Sequence, residues 1–277
     1  MLIPLGKITP QTFEEGEALL DRTEKTQLQI MSGINIIDKT VGAFSPGDVV
    51  LVTGDNQTYC MGFFYSIIVD MLANEETSLV IYPRTDTGKE QSVWMRLVAS
   101  VTGIPVFHRE TGIDRKFGPL LAISLGSFLE KDIVILSGQG SLDELLESDI
   151  PGRRKILVVD GWNSKAESGK AMICSDEIER SLKIAKELQM VVFMATPEPE
   201  CLFSTDKKIR ATVNLSDSGE IQLYNDKAWK RVRVDIRQSM NYGLSGYFQV
   251  LADPLSGMIR FPQENSHTDV QNANEWQ

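Results

Sequence analysis

Residues 47–61 read GDVVLVTGDNQTYCM, and residues 63–69 continue as FFYSIIV. Residues 49–52 are consecutive β-formers, which is typical of a strand buried on both faces. Gly54 opens a short polar segment, and the apolar run after it has the composition of a buried helix. This stretch predicts a strand, a loop and a helix in direct succession, which is the start of a parallel α/β fold.

The loop of this unit departs from the pattern that binds nucleotide phosphates, G-x-x-x-x-G-K-[ST]. Gly54 fits the first glycine, but Tyr59, Cys60 and Met61 stand where the pattern has glycine, lysine and serine or threonine. They offer no room for close backbone approach, no positive charge and no hard oxygen ligand for Mg²⁺. Each lost charge-assisted hydrogen bond is worth about 1.5–3 kcal/mol, so we expect no ordinary ATP binding.

The vestigial phosphate loop comprises Gly54, Asp55, Asn56, Gln57, Thr58, Tyr59, Cys60 and Met61. The alternative interpretation is a strand–helix connection that never bound phosphate.

Composition restricts the class of protein. The chain has 277 residues, 42% of them hydrophobic, and a net charge of −10, which suits one large or two small globular domains and is not typical of an autonomous nucleic-acid binder. Cys60, Cys174 and Cys201 are odd in number and widely spaced, which argues against a disulfide framework or a zinc site. Signal-peptide and membrane-span patterns are absent, so we expect a soluble, cytoplasmic protein without a membrane partner.

Strands and helices alternate along most of the remaining chain. Further strands are predicted at residues 78–82, 132–136, 155–160 and 190–195, and helices at residues 89–103, 117–130, 141–148 and 175–189. After residue 211, alternating segments between turn signals at 217–219 (Asp-Ser-Gly) and 253–254 (Asp-Pro) predict antiparallel strands. The predicted fold class is therefore α/β, with a mostly parallel central sheet, helices on both faces and an antiparallel C-terminal extension.

Ligands bind such sheets at the carboxyl ends of the strands. The loop at 54–61 and Asp160 both fall there. Asp160 therefore lies where an Mg²⁺-coordinating acid would lie, although a strand-end aspartate can equally cap a turn or a helix.

The order of these segments resembles the C-terminal, RecA-like ATPase domain of DnaB-type replicative helicases, over roughly residues 10–262. Residues 32–54 (SGINIIDKTVGAFSPGDVVLVTG) are similar to the segment that leads into the family's first core strand. Residues 88–100 (GKEQSVWMRLVAS) are similar to the family's S-K-E-Q helix, and residues 155–160 (KILVVD) to its Walker B strand. Residues 175–196 are similar to its long I-S-R-x-L-K-x-L-A-K-E-L helix and the strand that follows.

The resemblance implies a P-loop NTPase fold with three parts. Residues 1–30 would form a linker-like helix, residues 31–262 the RecA-like domain and residues 263–277 a polar, disordered tail. The amphipathic segment at 11–24 is similar to the family's linker helix, which docks on a neighbouring subunit; the alternative is a helix packed on its own domain.

The departures from the family pattern fall on its catalytic positions. Arg84 or Thr85 stands at the catalytic glutamate, although a one-residue shift brings Asp86 near that position. Pro197 replaces the polar sensor, and Ser239 replaces the arginine finger, while Arg237 matches the preceding lysine. Asp160 retains the Walker B acid. The resemblance thus leaves Asp160 and Arg237 as vestigial catalytic residues.

This pattern indicates a pseudo-ATPase, a DnaB-like domain that acts as an interaction, scaffold or regulatory protein in DNA replication or mobile-element maintenance. Its expected partner is a second copy or a helicase subunit, engaged through the helix at 11–24, and no cofactor is expected. The enzyme alternative is an ATP-dependent DNA helicase with an unconventional loop. Asp160 would then hold Mg²⁺, and Lys89, Arg84 or Arg237 would supply the missing charge.

A second alternative is an ATP-independent module that binds single-stranded DNA weakly. The residues that suit it are Lys207, Lys208, Arg210, Lys227, Trp229, Lys230 and Arg231. The segment KAWKRVR at 227–233 interleaves an aromatic residue with cations, which suits base stacking and phosphate contact. The same alternation is equally that of a β-strand with a cationic solvent face.

Overall fold

The most apolar runs of the sequence lie at the centre of one nine-stranded sheet in the computed structural model. In chain order the strands are β1 (Val49–Gly54), β2 (Thr77–Pro83), β3 (Phe107–His108), β4 (Gly112–Ile113), β5 (Ile133–Ile135), β6 (Arg154–Asp160), β7 (Met190–Thr196), β8 (Ala211–Tyr224), β9 (Lys227–Gln238), β10 (Ser245–Ala252) and β11 (Ile259–Arg260). The helices are α1 (Asn35–Val41), α2 (Gln57–Leu72) and α3 (Ser175–Glu187), with a 3-10 helix at Leu142–Glu147.

The structure describes most of the chain between residues 28 and 261. The described residues are 28–54, 56–72, 77–83, 97, 100, 107–108, 112–113, 119, 122–123, 126, 131–135, 142–147, 149–160, 175–196, 209–224, 227–238, 245–254 and 257–261. None of the helices within them is long and apolar enough to cross a membrane.

The sheet is parallel over more than half of its width. Its strand order is β11-β10-β9-β8-β1-β7-β6-β2-β5, and every neighbouring pair from β8 to β5 is parallel. β9, β10 and β11 add to β8 as an antiparallel extension. β3 and β4 form a separate two-stranded sheet. The predicted fold class is confirmed, including the antiparallel C-terminal strands.

Successive residues of β1 point to opposite faces of the sheet, so each face receives half of its apolar side chains. Val50 and Val52 pack with the buried residues of α2, and Val49 and Leu51 pack with those of α3 and the 3-10 helix. All six residues of β1 are buried. This two-sided burial explains why the central strands read as continuous apolar runs rather than as alternating patterns.

Two predicted elements differ from the structure. The predicted helix at 141–148 is a 3-10 helix over Leu142–Glu147. The Asp-Ser-Gly signal at 217–219 is not a turn between strands, because β8 continues through it with a bulge between Asp217 and Ile221. Gly219 takes a left-handed conformation there, with φ of 75°, which a bulge accommodates as readily as a turn does.

The predicted helices at 89–103 and 117–130 lie mostly outside the described residues. Their described members are Leu97, Ser100, Pro119, Ala122, Ile123 and Gly126, and all six are helical. The predicted helix at 11–24 and the tail at 263–277 lie wholly outside the described residues.

The segment before β1 is organised by two aspartates. Asp38 accepts hydrogen bonds from the N–H and hydroxyl of Ser32 at 2.8 and 2.7 Å, and from the N–H of Gly33 at 3.1 Å. Asp48 accepts the N–H of Ser45 at 2.7 Å across the Pro-Gly turn that opens β1. Both carboxylates hold backbone turns, which accounts for their positions in the motif at 32–54.

Replacing Asp38 with alanine should therefore destabilise the domain. Bonds to a charged acceptor are worth about 1.5–3 kcal/mol each, and we expect a net loss of about 2–3 kcal/mol because Asp38 also repels the carboxylate of Asp70. Urea unfolding of the variant beside Lys39→Ala, an exposed change on the same helix, measures the difference. Equal unfolding free energies for the two variants would contradict this role of Asp38.

Candidate functional site

The connection between β1 and α2 is much shorter than a phosphate-binding loop. α2 begins at Gln57, so residues 55 and 56 alone separate it from β1, and only Asn56 of the two is described. The N–H groups of Tyr59 and Cys60 both donate to the carbonyl of Asn56 at 3.1 Å. Residues 57–61, predicted as part of the loop, are therefore the first turn of the helix, and two of their N–H groups are used within it.

The side chains that replace the phosphate-binding residues are buried. Tyr59 is 4% exposed, Cys60 is 0% exposed and Met61 is 2% exposed. All three belong to the main hydrophobic core. A side chain packed inside the core does not reach a ligand in solvent, and these three offer neither a cation nor a hard oxygen ligand. These residues do not fit ATP with Mg²⁺.

Two glycines allow close packing around this first turn. A Cβ on Gly54 would meet the carbonyl oxygen of Leu215 in β8 and would lie 3.0 Å from the Cys60 sulfur. A Cβ on Gly62 would meet the carbonyl oxygen of Gly257, in the turn between β10 and β11. Gly54, the first glycine of the phosphate pattern, therefore permits contact with β8, and the antiparallel extension packs directly on α2.

The electrostatic surroundings of the first turn are acidic. Burial raises the pKa of Tyr59 above its ordinary value of 10, and the negative charges of Asp217 and Asp253 raise it further. Asp253 is itself fully buried. A phosphate placed here would meet charge of its own sign, which is the reverse of a nucleotide site. Sequence reasoning missed Gly62, Gly257, Asp217 and Asp253, because only the tertiary fold brings them to this turn.

The raised pKa of Tyr59 predicts a specific alkaline instability. The folded state favours the neutral phenol, so this contribution to stability is complete below about pH 10 and is lost as the pH rises through the folded-state pKa. Tyr59→Phe should lose less unfolding free energy than the wild type between pH 7 and about pH 11. Urea unfolding at each pH measures this, with Tyr247→Phe, on a half-buried ring of β10, as the control. Identical pH profiles for the wild type and Tyr59→Phe would contradict the assignment.

The remaining predicted catalytic positions are only partly described. Asp160 ends β6, paired with Ala195 of β7 and Pro83 of β2, so it does lie at the carboxyl end of a central strand. Arg237 is exposed near the end of β9, on the antiparallel extension. Arg84, Thr85, Asp86, Lys89, Pro197 and Ser239 lie outside the described residues. Within the described part of the chain no group of three potential metal ligands occurs.

The predicted nucleic-acid residues are occupied by contacts within the protein. Arg210 donates to the carbonyl of Val41 at 2.8 Å and lies 3.9 Å from Asp48. Lys230 lies 3.7 Å from Asp217, and Arg231 lies 2.9 Å from Glu220. Lys207 and Lys208 lie outside the described residues, as does the side chain of Lys227.

Trp229 does not form a stacking platform for bases. It is 2% exposed, and the guanidinium of Arg260 lies 5.1 Å from the centre of its ring. Residues 227–238 form β9, so the alternation in KAWKRVR is that of a strand.

Two solved structures share this fold. A DnaB-like replicative helicase, described with its interactions with primase, covers 89% of this chain and 69% of its own length, at a TM-score of 0.59 and 16% identity. An isolated helicase ATPase domain covers 92% of this chain and 100% of its own length, at a TM-score of 0.63 and 14% identity. The fold is that of a DnaB-type helicase ATPase domain. Protein-family models gave no match to the sequence, and curated proteins gave none either.

The DnaB-type fold gives the site its meaning. In such a RecA-like domain the first core strand and the helix after it carry the phosphate-binding loop. β1 and α2 occupy that place here, with the helix extended into the loop and the functional positions buried. The chain therefore keeps the DnaB-type framework around a phosphate loop that is closed.

Proposed function

We propose that this protein is a cytoplasmic pseudo-ATPase of the DnaB-like fold that acts through protein interaction, as a scaffold or regulator in DNA replication or mobile-element maintenance. The observation that carries the proposal is the burial of Tyr59, Cys60 and Met61 in the first turn of a helix that has replaced the loop. Phosphate binding would require that turn to unwind and those side chains to leave the core. No cofactor is part of the proposal.

The proposal is favoured over an active helicase by two independent features of the site. The short connection removes the backbone cradle, since two N–H groups of residues 57–61 are bonded within α2. The carboxylates of Asp217 and Asp253 add negative charge near the same turn. A lysine or arginine from another element would have to offset both effects before it contributed to ATP binding.

The expected partner is a second copy of the chain or a subunit of a DnaB-type helicase, engaged through residues 11–24. This part of the proposal rests on the sequence resemblance, because that segment lies outside the described residues. Assembly with the partner is expected to be independent of nucleotide, since the site that would report nucleotide is closed.

Sedimentation velocity with a purified DnaB-type helicase tests the interaction. We expect co-sedimentation that is unchanged by ATP and Mg²⁺ and lost in Leu19→Asp/Leu20→Asp, which disrupts the apolar stripe of the predicted helix. A parallel measurement of phosphate release should give no turnover by the protein alone. Turnover that Asp160→Ala abolishes, or co-sedimentation that requires ATP, would overturn the pseudo-ATPase proposal.

A further inference from the structure

β8 extends well beyond the strand that it pairs with in the parallel sheet. β1 pairs with residues 211–215 of β8 and ends there, at the pair Gly54 and Leu215. β8 continues to Tyr224, paired on its other side with β9. Within the described part of the chain, no strand pairs with the β1-side edge of β8 after Leu215. Residues 221–224 and 227–230 thus form a two-stranded ribbon, which we call the β8–β9 ribbon.

One face of the β8–β9 ribbon is anchored and the other is open. Trp229 is buried, with Arg260 over its ring, and fixes the first face to the domain. Ile221 and Leu223 alternate on the opposite face and are 62% and 74% exposed, opposite Lys230 and Ala228 of β9. Exposed apolar side chains on an unpaired strand edge are a template for the addition of another strand.

The sequence of this edge is suited to pairing with a copy of itself. In an antiparallel pair centred on Gln222, Ile221 of one chain lies opposite Leu223 of the other, and the same pair repeats by symmetry. Opposite residues share a face, so this register joins four apolar side chains. A shift by one residue places Ile221 opposite Gln222 and brings apolar and polar faces together. The two-fold arrangement closes on itself and leaves no edge for a third copy.

The charges of the β8–β9 ribbon allow this pairing in spite of the net charge of −10 on the whole chain. Asp217 pairs with Lys230 and Glu220 with Arg231, so the two acids and two bases at this edge cancel. The contact is small, with two large apolar side chains from each copy. It falls below the roughly 1,200 Å² of a stable interface, so a reversible, weak dimer is expected.

We propose that the β8–β9 ribbon is a self-association site, where the edges of β8 from two copies pair antiparallel about Gln222. This contact is separate from the one proposed for residues 11–24. It does not depend on the state of the phosphate loop.

Sedimentation equilibrium of the full chain over a range of concentrations tests the proposal. We expect reversible dimerisation that is weakened at least tenfold by Leu223→Asp. Ile123→Asp is the matched control, since Ile123 is 73% exposed on a helical segment and should change nothing. A protein that stays monomeric, or dimers that Leu223→Asp leaves intact, would overturn this site. Association that Leu19→Asp/Leu20→Asp abolishes and Leu223→Asp does not would overturn the ribbon and support residues 11–24.

Disulfide trapping tests the register. In a chain with Cys174 and Cys201 changed to serine, Gln222→Cys should form a disulfide-linked dimer under mild oxidation, because residue 222 faces itself. Cys60 is fully buried and can stay. Glu220→Cys should remain largely monomeric, since residue 220 lies opposite Tyr224 of the other copy. Equal trapping at positions 220 and 222 would contradict the register.

Discussion

Replacing Cys60 with lysine, the residue that the phosphate-binding pattern requires, is expected to destabilise the protein severely and to restore no ATP binding. Cys60 is 0% exposed, in the first turn of α2, and a Cβ on Gly54 would lie 3.0 Å from its sulfur. An ammonium group placed there loses its hydration and has no described carboxylate beside it. We expect a loss of about 4 kcal/mol or more in the free energy of unfolding.

The control for this variant is Cys60→Ala, which removes the thiol without adding charge. It should cost about 1–2 kcal/mol through the small cavity that it leaves. Urea unfolding gives both values, and millimolar ATP with Mg²⁺ should leave the melting temperature of either variant unchanged. A well-folded Cys60→Lys protein that ATP stabilises would mean that the helix can unwind to re-form a phosphate loop. That result would contradict the closed-loop account.

Replacing Gly62 with alanine is expected to separate α2 from the antiparallel extension. The added Cβ would overlap the carbonyl oxygen of Gly257, and neither partner is a flexible side chain. The backbone of the β10–β11 turn must therefore move. We expect a net loss of about 2–3 kcal/mol from overpacking, after a gain of about 0.5–1 kcal/mol from alanine's better helix propensity.

Gly126→Ala is the matched comparison, because Gly126 is also helical and a Cβ there meets nothing within 4 Å. It should be neutral or stabilise the protein by up to about 1 kcal/mol. Thermal or urea unfolding of the two variants should therefore give changes of opposite sign. Equal effects would show that the contact between α2 and the β10–β11 turn contributes nothing to stability.

The central strands were predictable because burial on both faces leaves a local signature. β1, β6 and β7 are continuous apolar runs, and the structure places them side by side. The bulge at 217–219 was not predictable, because Asp-Ser-Gly suits a bulge as well as a turn. The distant pairing of β8 with β9 makes the choice.

The closed loop was half predictable. The sequence shows that glycine, lysine and hydroxyl are missing at residues 59–61, and tyrosine in place of glycine also removes a residue that opposes helix formation. That the helix would extend back to Gln57 depends on packing against the core. The contact of Gly62 with Gly257 joins residues far apart in sequence, and no local pattern announces it.

The most direct test of the central claim is a titration of the full chain with a fluorescent ATP analogue in Mg²⁺, beside Asp160→Ala and an active DnaB-type ATPase domain. The account predicts that the active domain binds and that neither form of this protein shows saturable binding at millimolar nucleotide. Micromolar binding by the wild type that is lost in Asp160→Ala would contradict it. That result would mean that α2 unwinds to hold phosphate and that Tyr59, Cys60 and Met61 leave the core in solution.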